Sequence, residues 1–100
     1  MSENNGSHRS PKFALGQIVA TPGALEALEE NGQSAAEFLQ RHHRCDWGEV
    51  CEEDAELNNQ ALTDGSRLLS AYRLNDGTTK LWIITEADRS SSCCLLPSEY

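Results

Sequence analysis

A chain of 100 residues has room for one domain, with a core that needs no obligatory metal or disulfide. Sixteen acidic against eight basic side chains leave a formal net charge of -8, which disfavours a general nucleic-acid binder. That balance favours a basic protein partner or a protein site that ordinarily holds DNA or RNA, unless the acidity serves only solubility.

The charge is uneven. Residues 1–20 are close to neutral, with Arg9 and Lys12 against Glu3, and residues 67–100 balance four bases with four acids. Residues 21–66 therefore hold the imbalance, eleven acids against Arg41 and Arg44. No apolar run is long enough to span a bilayer, and "MSENNGSHRSPK" lacks the apolar stretch of a secretory signal, so a cytoplasmic protein is expected. In that compartment Cys45, Cys51, Cys93 and Cys94 are expected as thiols.

In chain order, residues 1–12 are polar and without apolar periodicity, and read as a disordered leader. "FALGQIVAT" follows as a short strand, alternating Phe13, Leu15, Gln17 and Val19 with Ala14, Gly16, Ile18 and Ala20. Gly16 marks a bulge or a close backbone approach. Thr21-Pro22 starts a helix, with threonine as N-cap and proline at the first helical position. Ala24, Leu25, Ala27 and Leu28 form its apolar stripe, Glu26, Glu29 and Glu30 face water, and Gly32 ends it. Ser34-Ala35-Ala36-Glu37 has capping-box spacing for a second helix, with Phe38 and Leu39 inward and Arg41, His42, His43 and Arg44 in the last turn. Asp46-Trp47-Gly48-Glu49 repeats that cap logic for a third helix to about Asp64, just before Gly65. Its inward face reads Trp47, Val50, Cys51, Leu57, Ala61 and Leu62, with Asp54 at least half buried and Glu49, Glu52, Glu53 and Glu56 on the opposite side. Glu49 with Glu53, and Glu52 with Glu56, then repel at helical spacing, at roughly 0.2–0.5 kcal/mol each.

Residues 67–96 are the part densest in strand formers. Leu68–Leu74 and Lys80–Thr85 flank Asn75-Asp76-Gly77-Thr78, whose Asp-Gly pair supplies the positive φ of a tight hairpin. Ser92–Leu96 follows a short polar break. The expected fold is α+β: an N-terminal strand, three helices, then a three-stranded antiparallel meander, with the helices on one face. Residues 13–100 form the single domain, and the first strand joins the meander at an edge. Strand order is not fixed by the sequence.

Candidate chemistry is sparse. His42, His43, Cys45 and Cys51 are possible zinc ligands by type, but one H-x2-C element and a cysteine six residues on do not match structural zinc spacing. Cys93 and Cys94 should point to opposite faces of a strand, one packed and one at the surface. No G-x-S-x-G elbow surrounds Ser90, Ser91 and Ser92, and no glycine-rich nucleotide loop or H-E-x-x-H occurs. No cofactor or metal is expected. A small enzyme or metal site would have to use His42, Cys45 and Asp54, or the charged loop Glu86–Arg89. The acidic row Glu49, Glu52, Glu53 and Glu56, extended by Glu29 and Glu30, has more potential, because spaced carboxylates attract the Lys and Arg groups of a protein that grips phosphates. A solvated helix face is the plainer explanation of the same row. Tyr72, Trp82 and Tyr100 could anchor an interface, although Trp82 is expected in the core between helices and sheet.

The stretches "LGQIVATPGALEAL", "CDWGEVCEED", "RLLSAYRLNDGTTKLWIITEADRS" and "LLPSEY" resemble a family of small bacterial proteins carried on plasmids and integrative elements. The resemblance spans Phe13–Tyr100. A restriction-modification label sometimes attached to that family does not suit this chain, which has no room for a methyltransferase's cofactor-binding βαβ unit. What the resemblance implies is context, an accessory protein of mobile DNA, where small acidic inhibitors of host defence recur. The resulting expectation is a non-enzymatic interaction protein whose acidic helical face binds a basic protein or nucleoprotein complex, in the manner of an anti-restriction or anti-CRISPR inhibitor. Direct binding of nucleic acid or membrane is not expected. A self-associating module that pairs its exposed strand edge is the remaining alternative.

Overall fold

A strand that turns at once into a helix must bury that helix against something, and here it is a sheet completed only by the far end of the chain. The computed structural model describes residues 13–100, so the leader expected over residues 1–12 lies outside the described residues. The elements are β1 (Gln17–Ala20), α1 (Pro22–Glu30), α2 (Ala35–His43), α3 (Glu52–Asp64), β2 (Leu68–Arg73), β3 (Lys80–Thr85), β4 (Ser91–Leu95) and a closing 3-10 turn, Pro97–Glu99.

The strand order is β1-β4-β3-β2. β2, β3 and β4 pair antiparallel in sequence, whereas β1 lies parallel to β4, with Gln17 opposite Ser91 and Ala20 opposite Cys94. The sheet is therefore four-stranded and mixed rather than a three-stranded antiparallel meander, although the class remains α+β. The long helical excursion between β1 and β2 makes a parallel entry possible, since only a crossover connection can return the chain in the same direction. Gly16 permits the entry. It has a φ of 67°, and a Cβ there would strike the Ser90 carbonyl group. Gln17 N–H donates to Ser90 O at 2.9 Å, and Thr21 N–H carries the ladder on to Cys94 O at 3.0 Å.

One sheet face carries Leu68, Ser70, Tyr72, Leu81, Ile83, Thr85, Ser92 and Cys94, all buried beneath the helices. Ala24, Ala27 and Leu28 of α1 and Phe38 and Leu39 of α2 pack on its apolar part, while Ala61 of α3 joins Phe13, Trp47 and Leu68. The other face carries Leu69, Ala71, Trp82, Ile84 and Leu95. Trp82 thus does not sit between helices and sheet. It lies on the opposite face from Leu81 and Ile83, half-buried against the Tyr100 ring at 5.7 Å.

The helix ends differ from expectation in informative ways. At α1 the Thr21 cap forms, its Oγ1 accepting from Ala24 N–H at 3.1 Å and donating to Glu99 Oε1 at 2.5 Å, which ties the chain's last turn to its first helix. Leu25 leaves the stripe and is 53% exposed, because the close-packed side of α1 uses Ala24, Ala27 and Leu28. At α2 the Ser34 side chain makes no cap bond, and Glu37 instead accepts from Gln33 Nε2 at 3.1 Å. α3 begins at Glu52 rather than after Asp46. Its N-cap is Cys51, exposed rather than inward, whose sulfur accepts from Asp54 N–H at 3.4 Å. Leu57 is also turned out, at 57% exposure.

Residues 46–50 stay out of the helix because they serve β2. β2 is an edge strand, and its outward groups are capped twice: Ala71 N–H donates to Trp47 O at 3.0 Å and Ala71 O accepts from Glu49 N–H, while Asn58 of α3 accepts from Leu69 N–H at 3.0 Å and donates to Leu69 O at 2.7 Å. Gly48, at φ 77°, lets this segment lie against the Ala71 carbonyl and Tyr72 ring, where a Cβ has no room. Asn58, 4% exposed, is thus a side-chain substitute for a missing strand. Replacing it with alanine orphans two backbone groups, so Asn58→Ala should lower the unfolding free energy by about 2–4 kcal/mol in urea titrations at unchanged m-value. A loss below about 0.5 kcal/mol would mean that water satisfies the edge equally well.

Candidate functional site

Polar side chains at inward positions are costly unless they are bonded, so a buried cluster of them is the first place to look for chemistry. His42, Ser70, Thr85 and Ser92 are each 0% exposed. His42 descends from α2, placed by the same spacing that buries Phe38 and Leu39, and the three hydroxyls rise from β2, β3 and β4. Ser92 Oγ lies 2.8 Å from Leu15 O, which can only accept, so the Ser92 proton is committed there. Ser92 must then accept from Thr85 at 2.7 Å, and Thr85 must accept from His42 Nε2 at 2.8 Å. His42 Nδ1 is left without a proton and accepts from Ser70 Oγ at 2.5 Å. The result is a one-way chain of four hydrogen bonds that satisfies a neutral imidazole carrying its proton on Nε2.

A Ser–His pair is the usual sign of an activated nucleophile, yet this one is walled in. The Phe13 and Trp47 rings meet the imidazole edge-on at 5.3 and 5.7 Å, and neither His42 nor Ser70 touches solvent. Burial, then the positive charges of His43 and Arg89, pulls the His42 pKa from 6.5 down to about 4. The other candidate nucleophiles are no better placed. Cys94 is buried, its thiol pushed up to about 11 by desolvation, and the half-buried Cys93 thiol is raised for the same reason. None of the four cysteines is in a disulfide.

The proposed ligand set does not converge. Both His42 nitrogens are taken by hydroxyls, and His43 Nε2 donates to Phe13 O at 3.0 Å. Asp54 is half-buried in the first turn of α3, and no group of three or more ligand-type side chains is arranged for a metal among the described residues. In the loop Glu86–Arg89 the side chains build structure. Arg89 donates to Ser66 O at 2.6 Å and to Ala61 O at 2.9 Å, placing a cation on the carbonyl end of α3, and Asp88 accepts from Ser90 N–H at 2.9 Å.

The acidic row survives in part. Glu52, Glu53 and Glu56 are exposed on α3, which carries five carboxylates from Glu52 to Asp64 and no basic residue. Glu52, Glu53 and Asp54 favour the helix start electrostatically. Glu49 lies before the helix, so it has no helical repulsion with Glu53; its carboxylate pairs with Arg73 at 2.9 Å and is held below its usual pKa by that bond. Glu29 and Glu30 are exposed on α1, which packs against β4, whereas α3 packs against β2 with β3 between. Four arginines, Arg41, Arg67, Arg73 and Arg89, are engaged elsewhere. Arg41 pairs with Asp46 at 2.8 Å and lies over the Tyr72 ring, while Arg67 reaches Tyr100. Among the described residues no ion pair reaches Glu52, Glu53 or Glu56. Two shallow depressions run along this surface, one by Glu52, Glu53 and Ala55 and the next by Gln60, Thr63 and Asp64, sharing Glu56 and Asn59.

Of the expected aromatic anchors, Tyr72 is buried, its hydroxyl donating to Asp46 O at 2.6 Å and its pKa raised to about 12 mainly by desolvation. Among the described residues no helix is long and apolar enough to cross a membrane. No family model, curated protein or solved structure matches the chain. Function must therefore be argued from the side chains themselves.

The His42 arrangement fixes a pH dependence. The unfolded chain takes up a proton near pH 6.5 but the folded one only near 4, so in that window the unfolded state binds more protons and stability falls as pH falls. The loss between pH 7 and pH 4 should be on the order of 3 kcal/mol from this group. His42→Gln should be less stable at pH 7 yet lack that part of the slope, read by urea unfolding at several pH values. An unchanged slope in the variant would remove the imidazole as its source.

Proposed function

We propose that this protein is a non-enzymatic binding module whose α3 surface captures a basic partner that normally grips nucleic acid. The observation that carries the reading is that, among the described residues, no ion pair answers Glu52, Glu53 or Glu56, while Arg41, Arg67, Arg73 and Arg89 are bonded elsewhere. Uncompensated carboxylates on a rigid helix present a fixed negative field, which accelerates encounter with a Lys/Arg-rich surface and costs no rearrangement on binding. Leu57, exposed on the same helix, supplies apolar area for such a contact. Glu49 is a weaker contributor because Arg73 already answers its charge. Glu29 and Glu30 would form a second, lesser patch on α1. A setting in mobile DNA, and an inhibitor that occupies the phosphate-binding surface of a defence protein, fit this chemistry and belong to the same proposal.

A second reading has its own observation in favour. The β2 edge is capped by Asn58 and residues 47–49, but among the described residues β1, at the other end of the sheet, has no such cover, and Ile18 and Val19 are 44% and 40% exposed. Residues 13–23 carry no charge, so nothing in β1 repels another strand. Self-association would place a second copy on that edge.

The two readings separate cleanly. Glu52→Lys, Glu53→Lys and Glu56→Lys together should abolish capture of nucleic-acid-binding proteins from host lysate while circular dichroism stays native, and raising salt from ~0.05 to ~0.5 M should weaken wild-type capture. Undiminished capture by the triple variant would refute the acidic-surface reading. Val19→Lys should leave that capture intact, and a dimer in light scattering that this change dissociates would establish the β1 contact instead.

A further inference from the structure

The sheet face turned away from the helices holds a cavity that the acidic surface does not involve. It has a volume of about 120 Å³ and is walled by Arg67, Leu68, Leu69, Trp82, Ile84 and Tyr100. Its position follows from strand register. Leu69 and Ile84 are cross-strand partners, and Trp82 is two residues before Ile84, so all three side chains project from that one face. The chain then passes through the turn Pro97–Glu99 and lays Tyr100 across the Trp82 ring at 5.7 Å, with an interplanar angle of 66°. Tyr100 roofs the cavity while remaining 68% exposed, which leaves the mouth open to solvent.

The rim is cationic. Arg67 Nη2 donates to the Tyr100 hydroxyl at 3.0 Å. Arg41 and Arg73 are bonded to carboxylates and Arg89 to backbone carbonyls, whereas the hydrogen-bond partner of Arg67 is a neutral phenol. One guanidinium N–H is used in this contact, and a guanidinium has five. Because the phenol oxygen accepts from Arg67, its own proton is free to donate outward. The remaining Arg67 N–H groups and the Tyr100 hydroxyl proton are thus available as donors at the mouth, above an apolar floor. Glu86 is near enough to favour the Arg67 charge but makes no hydrogen bond to it.

We propose that this cavity binds a small carboxylate with a short branched or monocyclic apolar body, the body lying on Leu69 and Ile84 beside the Trp82 and Tyr100 rings and the carboxylate held by Arg67 and the Tyr100 hydroxyl. Size selects the class. A cavity of about 150 Å³ lined by aliphatic side chains holds one benzene molecule, so this one takes a single ring or a branched alkyl group and excludes a nucleotide or a fused-ring ligand. Charge selects the head group. A guanidinium binds a planar carboxylate through two parallel N–H donors, and the phenol adds a third. Aromatic walls favour a flat or branched body that fills the slot without ordering many rotors. For a ligand of this size the dissociation constant should lie around 0.1–1 mM.

Isovalerate and phenylacetate are the probes, with isovaleramide and phenylacetamide as neutral matches of similar shape. Titration into the full chain is followed by nitrogen–proton correlation spectra, in which the indole N–H of Trp82 is resolved from that of the buried Trp47. The expected result is a saturable shift of the Trp82 signal with at least one acid, at least tenfold weaker with its amide. Arg67→Gln should weaken acid binding about tenfold or more, corresponding to the loss of a charge-assisted contact, and Tyr100→Phe should weaken it to a smaller degree, with the remaining cross-peaks in place. No saturable Trp82 shift with either acid, equal binding of acid and amide, or an undiminished affinity in Arg67→Gln would each overturn the proposal. These titrations do not depend on the α3 surface, so their outcome leaves the triple-lysine capture result untouched.

Discussion

One buried imidazole connects almost every part of this fold. His42 hangs from α2 and bonds Ser70 of β2 and Thr85 of β3, Thr85 bonds Ser92 of β4, and Ser92 bonds the Leu15 carbonyl just before β1. A single chain of donors thus passes from the helical layer through three strands to the segment that delivers the fourth. Such a chain has one arrangement in which every proton is placed, and shifting any strand by one residue would turn its hydroxyl to the other face. The network therefore selects the register of the sheet as well as the seat of α2. Apolar packing by Phe38, Tyr72, Leu81 and Ile83 supplies most of the burial, but those side chains would tolerate alternative arrangements more readily than four interlocked polar groups.

The same network determines where function can be. A histidine and a serine at hydrogen-bond distance would suggest catalysis on an open surface, whereas here Phe13, Trp47 and the helices exclude solvent and reactant alike. With the Cys93 and Cys94 thiols raised in pKa and the loop Glu86–Arg89 occupied in capping α3, the exposed features are surfaces. Two contrast in charge. The outer side of α3 is negative and uncompensated, and the mouth on the opposite sheet face is formed by Arg67 with Tyr100 over apolar side chains.

Much of the local structure was legible because it depends on nearest neighbours. Asp76 accepts from Thr78 N–H and Thr79 N–H and Gly77 takes a φ of 78°, as the Asp-Gly pair requires, and Thr21-Pro22 starts its helix. The failures arose where a distant partner decided the outcome. Asp46 and Glu49 have cap spacing, but the edge of β2 holds that segment out of the helix, so α3 begins later and turns Cys51 and Leu57 outward. In Lys80–Thr85 both faces carry apolar residues, and alternation alone could not assign Trp82 to the side away from the helices. The parallel entry of β1 depends on a pairing across most of the chain length. For His42 a signal did exist. Ala35, Phe38, Leu39 and His42 share a helical stripe, and Ser70, Thr85 and Ser92 fall at inward positions of three strands, so four polar residues on buried faces pointed to one another.

The protonation state of His42 is the most direct test, because both the locked sheet and the exclusion of solvent from the Ser70–His42 pair depend on a neutral, sealed ring. Nitrogen-15 spectra of the imidazole across pH 4 to 7 read it without any mutation. The account predicts an Nε2-protonated ring that stays neutral well below pH 6.5 and exchanges that proton slowly with water. A ring that titrates near pH 6.5 with rapid exchange, or one protonated on Nδ1, would mean that solvent reaches the Ser70–His42 pair, and the sealed one-way network would be contradicted.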